Sequence, residues 1–301
     1  MLTATHTAAY ERRLASRRVR DFVALTKPRV VLMVLVTTLI GFYLGSSGSL
    51  PWGSLLHTLL GVAMAAGGTL GLNQYLERDL DARMRRTRLR PLPDGRLQPS
   101  EALLFGVLIT ATGLVYLTLL VNPLSGFVTA ISVGSYLFLY TPLKQKTPLC
   151  LIIGAVPGAL PPVTGWVAAT GSVSVEAGVL FAILFLWQVP HSLAIAVLYR
   201  DDYARADIKL LPVVDPEGSS TGRQIVSNCL ALLPVALLPT MLRLSGTFYF
   251  IGALILGMAF LLCGIMLATS RTDGAARRLL WASLIYLPAL LSLMAWDKVR
   301  F

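Results

Sequence analysis

Asn73, Glu77 and Asp81 stand four residues apart in the stretch Asn73-Gln-Tyr-Leu-Glu77-Arg-Asp79-Leu-Asp81. On a helix, successive members of such a series are offset by about 40°. If the helix that carries Asn73 runs on to Asp81, the amide and both carboxylates line one face, while Asp79 points elsewhere. An oxygen-only set of this kind suits Mg²⁺, which proteins hold through one or two carboxylates plus the phosphates of a substrate. Arg83, Arg85, Arg86, Arg88 and Arg90 follow at once, before Pro91. The guanidinium fork donates two hydrogen bonds to a phosphate, so the stretch points to a diphosphate clamped through a metal ion. The competing reading is a solvated helix end whose acids pair cheaply with neighbouring arginines. Asn73 argues against that reading, because an amide inside an apolar helix needs a reason.

A second acidic stretch, Asp201-Asp202-Tyr-Ala-Arg205-Ala-Asp207, is flanked by Arg200 and Lys209. Together the two stretches hold Glu77, Asp79, Asp81, Asp201, Asp202 and Asp207, six of only fifteen acids. His191 lies eleven residues before Asp202, which on one continuous helix is close to the same face and roughly 16 Å away along the axis. An ionisable residue within an apolar span is a functional hypothesis by default, set against a packing histidine bonded to a carbonyl beside Pro190. The third feature is Tyr140-Thr-Pro-Leu-Lys144-Gln-Lys146, whose lysines either add charge to a phosphate site or anchor a loop. Gly154, Gly158 and Gly165, with Pro157, Pro161 and Pro162, then predict an irregular helix with room for close packing or a cavity wall.

These residues must be positioned by apolar elements. Of 301 residues, 55% are hydrophobic and 14% charged, against roughly a quarter charged in soluble domains. Nine apolar runs, near 30–46, 54–73, 102–121, 123–140, 150–169, 175–198, 225–242, 247–268 and 279–296, approach the roughly 20 residues that a spanning helix needs. The expected fold is all-α, a polytopic membrane protein of nine transmembrane helices. The expected organisation is an N-terminal arm, 1–29, followed by one transmembrane domain, 30–301. All of the 26 basic residues except Arg243, Lys298 and Arg300 fall on one side of this topology. Both acidic stretches lie on that side too. The asymmetry predicts a cytoplasmic N-terminus and explains the net charge of +11 without a nucleic-acid partner. Cys150, Cys229 and Cys263 lack the spacing of a disulfide framework or a zinc site. The arm shows no apolar core with a cleavage site, so a secretory signal is not expected, and its Arg-rich, acid-poor composition gives organellar targeting only a minor reading.

The stretch from Asn73 to Asp81, continued by Arg86-Thr87-Arg-Leu-Arg90-Pro91-Leu92, resembles the first acidic motif of the UbiA-type intramembrane prenyltransferases, and more narrowly their heme O synthase branch. Three further segments agree in order. Leu25-Thr26-Lys27-Pro28-Arg29-Val30 opens the first span. Tyr140-Thr141-Pro142-Leu143-Lys144 and Gly158-Ala159-Leu160-Pro161-Pro162 bracket the fifth. Pro190-His191, Asp202-Tyr203 and Leu211-Pro212-Val213 frame the sixth. Cys150, Ser192 and Asp207 depart from the branch, which usually has Asn, Phe and Gly there.

The resemblance implies nine helices around a central cavity, with helical caps from the cytoplasmic loops. It implies a reaction that joins the farnesyl group of farnesyl diphosphate to a vinyl group of heme B, with water adding, to give heme O and diphosphate. By the same resemblance, Mg²⁺ is held by Asn73, Glu77, Asp81, Asp201 and Asp202, and catalysis rests on Asn73, Glu77, Asp81 and Asp202. Lys27, Arg86, Arg90, Lys144 and Arg200 bind the diphosphate, and His191 contacts heme. The setting is the bilayer of a bacterial inner membrane, with the site loops cytoplasmic. Self-association, or contact with heme A synthase or a terminal oxidase, is compatible with that setting. Two other functions are weighed beside it: prenyl transfer to an aromatic acceptor of quinone or chlorophyll synthesis, and a non-catalytic assembly factor or transporter. The run from Arg86 to Leu92 argues against the first. Against the second, the two acidic stretches share one orientation, unlike the inverted repeats common in transporters.

Overall fold

The computed structural model describes residues 17–299, so most of the N-terminal arm and Arg300 lie outside the described residues. Among the described residues, nine helices are long and apolar enough to cross a membrane: Pro28–Gly45, Trp52–Leu76, Pro99–Leu120, Pro123–Leu143, Cys150–Thr170, Val175–Leu198, Ser219–Met241, Thr247–Ser270 and Asp273–Trp296. The apolar runs locate the middles of these spans better than their ends. Spans seven and nine begin at Ser219 and Asp273, well before the expected 225 and 279. Their first turns carry polar side chains suited to the interface, which a search for apolar residues passes over.

Local sequence explains where the helices start. Proline occupies the first turn of spans one, three and four, where its missing N–H costs nothing. Asn122 caps span four, its side-chain oxygen accepting from Ser125 N at 2.8 Å. Thr272 does the same for span nine through Ala275 N at 3.3 Å. Span five is two helices, Cys150–Ala159 and Pro161–Thr170, joined at Leu160 because Pro161 and Pro162 supply no amide donors. Span four passes through a π-helical turn, Ser135–Tyr140, before its last turn.

Small residues set the closest packing. A Cβ at Gly68 would overlap Thr110, and one at Gly113 would overlap Ala65, so spans two and three meet nearly backbone to backbone. Gly41 and Gly165 play the same part between spans one and five. Spans one, two, four, five and six line a chamber. Span three backs span two, spans seven and nine pack against span six, and span eight packs against seven and nine. Large apolar side chains such as Leu104, Leu119, Ile255 and Leu262 remain exposed on the outer spans, as a lipid-facing surface requires.

Candidate active site

The site is built where span two ends. The helix breaks after Leu76, and Glu77 sits at φ −97°, ψ 7° before the short helix Arg78–Arg83. The four-residue hydrogen bonds nevertheless carry through the break: Glu77 N donates to Asn73 O at 2.9 Å and Asp81 N to Glu77 O at 2.8 Å. Asn73, Glu77 and Asp81 therefore keep the predicted stripe, and all three are buried. Each meets a cation brought from elsewhere in the chain. Lys27 Nζ donates to Asn73 Oδ1 at 3.1 Å, Lys144 Nζ to Glu77 Oε1 at 2.6 Å, and an Arg90 guanidinium nitrogen to Asp81 Oδ2 at 2.7 Å. Thr87 donates to the Asp81 carbonyl at 2.8 Å and so fixes the turn that returns Arg90 to the stripe.

These groups line a basin of about 290 Å³ together with Arg86, Tyr136, Tyr140 and Tyr203. Beneath it lies the chamber, also about 290 Å³ and mostly apolar. Val30, Tyr136, Tyr140, Leu151 and Ser192 line both, so the two spaces meet at one junction.

The charges in the basin are strongly coupled. Burial alone would push the Glu77 carboxyl up, but Lys144 beside it, with Lys27, holds it below the usual carboxylate value. Burial also acts to lower the Lys144 ammonium, and Glu77 outweighs it, leaving that group well above the usual lysine value. Among the described residues Lys27 forms no ion pair with a carboxylate. Burial, then the charge of Arg90, brings it down to about 7. Lys27 also adopts φ 48°, an uncommon conformation for a residue with a side chain, immediately before Pro28. The basin thus holds more cation than its carboxylates neutralise, which favours a polyanionic guest.

The second acidic stretch is placed differently. Tyr199, at φ −114°, ψ 24°, ends span six, and a separate helix, Arg200–Arg205, follows. Asp202 is buried and paired with Arg205. It does not line the basin, although its neighbour Tyr203 does. Asp201, one residue back and about 100° round the helix, is exposed. Asp201 and Arg200 line another cavity, of about 230 Å³, with Asp215, Glu217 and Arg271. The structure thus does not bring Asp201 and Arg200, both expected in the metal and diphosphate set, to the stripe. Among the described residues no three histidine, cysteine or acidic side chains cluster closely enough to hold a metal by themselves.

His191 is also set apart from the stripe. Its Nδ1 lies 2.7 Å from Ser283 Oγ in span nine, and its ring stacks on Trp187 with centroids 4.8 Å apart. It lines neither the chamber nor the basin. The side chains that face inward from this part of span six are Gln188, which the motif reading passed over, and Ser192, which it noted only as a departure from the branch. Tyr136 was also missed, and its hydroxyl donates to Asn73 Oδ1 at 3.4 Å. The signal for it was the four-residue series Tyr136, Tyr140, Lys144, a counterpart to the acidic stripe. Lys144 Nζ sits 4.3 Å from the centre of the Tyr140 ring. Asp207, where glycine is usual, adopts φ 55°, a left-handed position that Asp tolerates better than most residues.

Comparison with known proteins fits this geometry. The model of the UbiA prenyltransferase family matches residues 34–287. A protoheme IX farnesyltransferase of Solibacter usitatus is 48% identical over 93% of this chain and 99% of its own. One of Salinibacter ruber is 42% identical over 92% of this chain and 98% of its own. Among solved structures, that of a digeranylgeranylglyceryl phosphate synthase superposes with a TM-score of 0.79 at 17% identity, over 93% of this chain and 98% of the other. A UbiA homolog from Archaeoglobus fulgidus bound to GPP and Mg²⁺ gives 0.66 at 17% identity, over 91% and 99%. At those identities the structures speak for the fold alone. The chain belongs to the UbiA prenyltransferase family. It is a multi-pass membrane enzyme that transfers prenyl groups.

Proposed function

We propose that this prenyltransferase joins the farnesyl group of farnesyl diphosphate to a vinyl group of heme B, with addition of water, releasing heme O and diphosphate. The observation that carries the reading is the buried stripe of Asn73, Glu77 and Asp81, met by Lys27, Lys144 and Arg90 at the mouth of an apolar chamber. A substrate with a diphosphate at one end and a hydrocarbon tail at the other matches that division. The two protoheme IX farnesyltransferases, each matching more than nine-tenths of the chain, favour heme B over an aromatic acceptor.

The donor set fits Mg²⁺. The ion pairs engage Oε1 of Glu77 and Oδ2 of Asp81, which leaves Glu77 Oε2 and Asp81 Oδ1 as hard donors beside the Asn73 amide oxygen, itself accepting from Lys27 and Tyr136. When bound, the ion would neutralise charge on the leaving diphosphate. Asn73, Glu77 and Asp81 would hold it, and the buried Asp202 is proposed to act with them. Lys27, Arg86, Arg90 and Lys144 aim positive charge at the departing oxygens without reorganisation, which is where such groups accelerate a reaction most. The chamber then holds the farnesyl chain away from water while the carbon–oxygen bond breaks. We place the enzyme in a bacterial inner membrane with the basin on the cytoplasmic side, where its basic loops lie, and treat 30–301 as a single catalytic domain.

The test is incubation of purified protein with heme B, Mg²⁺ and farnesyl diphosphate, followed by mass analysis of the extracted pigment. A farnesylated, hydrated heme that disappears with EDTA is expected. Prenylation of an aromatic acid or quinone precursor in preference to heme would overturn the reading.

A further inference from the structure

The reaction proposed above makes two opposite demands on one space. While the bond to diphosphate breaks, water must be kept out, because it would capture the allylic cation. Once the vinyl group has attacked, a single water must add. A wet wall fails the first demand and a wholly apolar one the second.

Three hydroxyls around the chamber are committed to backbone carbonyls, while those of Tyr136 and Thr164 meet the side chains of Asn73 and Thr129. Thr69 donates to Ala65 O at 2.6 Å, Thr129 to Ser125 O at 2.8 Å and Ser132 to Pro157 O at 3.0 Å. The Tyr140 hydroxyl of span four and two side chains of span six keep hydrogen-bonding capacity among the described residues. The hydroxyl of Ser192, a half-buried residue lining both chamber and basin, has no hydrogen bond among the described residues. One turn earlier, the Gln188 carboxamide lies flat against Gly158, where a Cβ would overlap it. Its Nε2 makes a single long bond, 3.4 Å, to Gly154 O, and its Oε1 accepts none among the described residues. A carboxamide and a hydroxyl with unused capacity, facing a hydrocarbon chamber inside a membrane, call for a polar occupant. Residues four apart on a helix stand about 5–6 Å from each other at Cβ, a gap that one bridging water can close.

We propose that Gln188 and Ser192 position the water that adds to the prenylated vinyl group. The inference rests on the heme reading. The vinyl π electrons form the new bond to C1 of the farnesyl group as the C1–oxygen bond to diphosphate breaks. Positive charge falls on the vinyl carbon next to the macrocycle. The water held by Gln188 Oε1 gives a lone pair to that carbon. Its surplus proton passes to Ser192 Oγ, which hands its own proton across the junction to the diphosphate. No oxidant or further reactant is needed.

The test reads the product mixture formed by Gln188→Leu, Gln188→Glu and Ser192→Ala with heme B, Mg²⁺ and farnesyl diphosphate. Without a held water the cation instead loses a proton, giving a farnesylated heme lighter by one water. Gln188→Leu is expected to shift the ratio of hydrated to dehydrated product roughly tenfold toward the latter, as the loss of one good hydrogen bond would. Ser192→Ala shifts it in the same direction by less, and Gln188→Glu, which keeps an acceptor oxygen, restores it. The ratio does not depend on how much enzyme survives substitution. An unchanged ratio in both Gln188→Leu and Ser192→Ala overturns the proposal. So does loss of both products in variants that still bind farnesyl diphosphate, since the water acts only after the carbon–carbon bond has formed. Unsubstituted protein that farnesylates no heme at all would instead defeat the parent reading.

Discussion

The two acidic stretches look alike in the sequence and fare differently in the fold. Glu77 and Asp81 are buried, and their partners come from other segments: Lys144 from the loop after span four and Arg90 from beyond the turn at Thr87. Asp202 pairs within its own helical turn, with Arg205, and among the described residues Asp201 forms an ion pair only with its neighbour Arg200, at 4.0 Å. A carboxylate that the fold buries against a distant cation has been desolvated at a cost, which marks it for work beyond solubility. A carboxylate that pairs locally at the surface contributes little and implies little.

That contrast sets a ranked series of substitutions. Glu77→Gln and Asp81→Asn remove charge from the stripe at nearly constant volume and are expected to lower kcat/KM by a hundredfold or more, the scale of losing a preorganised charge at a reacting centre. Arg90→Ala strips Asp81 of its partner and the basin of one cation. Its expected effect is roughly ten- to a hundredfold on kcat/KM with loss of thermal stability, because an unpaired buried carboxylate remains. Asp202→Asn, measured the same way, should cost about tenfold, between that of a basin ligand and that of a surface residue. Asp201→Asn and Arg200→Gln should each stay within about twofold of the parent enzyme, as exposed pairs do. If Asp201→Asn matched Asp81→Asn in severity, the distinction drawn between the two stretches would collapse.

Much of this was legible in the residues. Uninterrupted apolar length marked the spans, and the side on which arginine and lysine gather gave the expected orientation. The four-residue spacing of Asn73, Glu77 and Asp81 survived even a helix break, because the hydrogen bonds that set it did. What the sequence left hidden is rotation. Span six is apolar nearly all round, so no hydrophobic stripe distinguishes its chamber side from the side facing span nine. His191 drew attention as the ionisable residue, yet it faces Ser283, while Ser192, one position on, faces the substrate space. Asp201 and Asp202 were confounded in the same way, since one step on a helix turns a side chain by about 100°. The separate short helix after Tyr199 also broke the face that seemed to join His191 to Asp202.

The central claim is that the Asn73–Glu77–Asp81 stripe and its cations grip a diphosphate above the chamber. A structure with Mg²⁺ and a non-hydrolysable farnesyl diphosphate analogue tests it most directly. The account predicts the diphosphate between that stripe and Lys27, Arg90 and Lys144, with the prenyl chain running down past Ser192 toward Thr129 and Thr164. An analogue seated instead against Arg200, Asp201 and Arg271, with the chamber left empty, would contradict it.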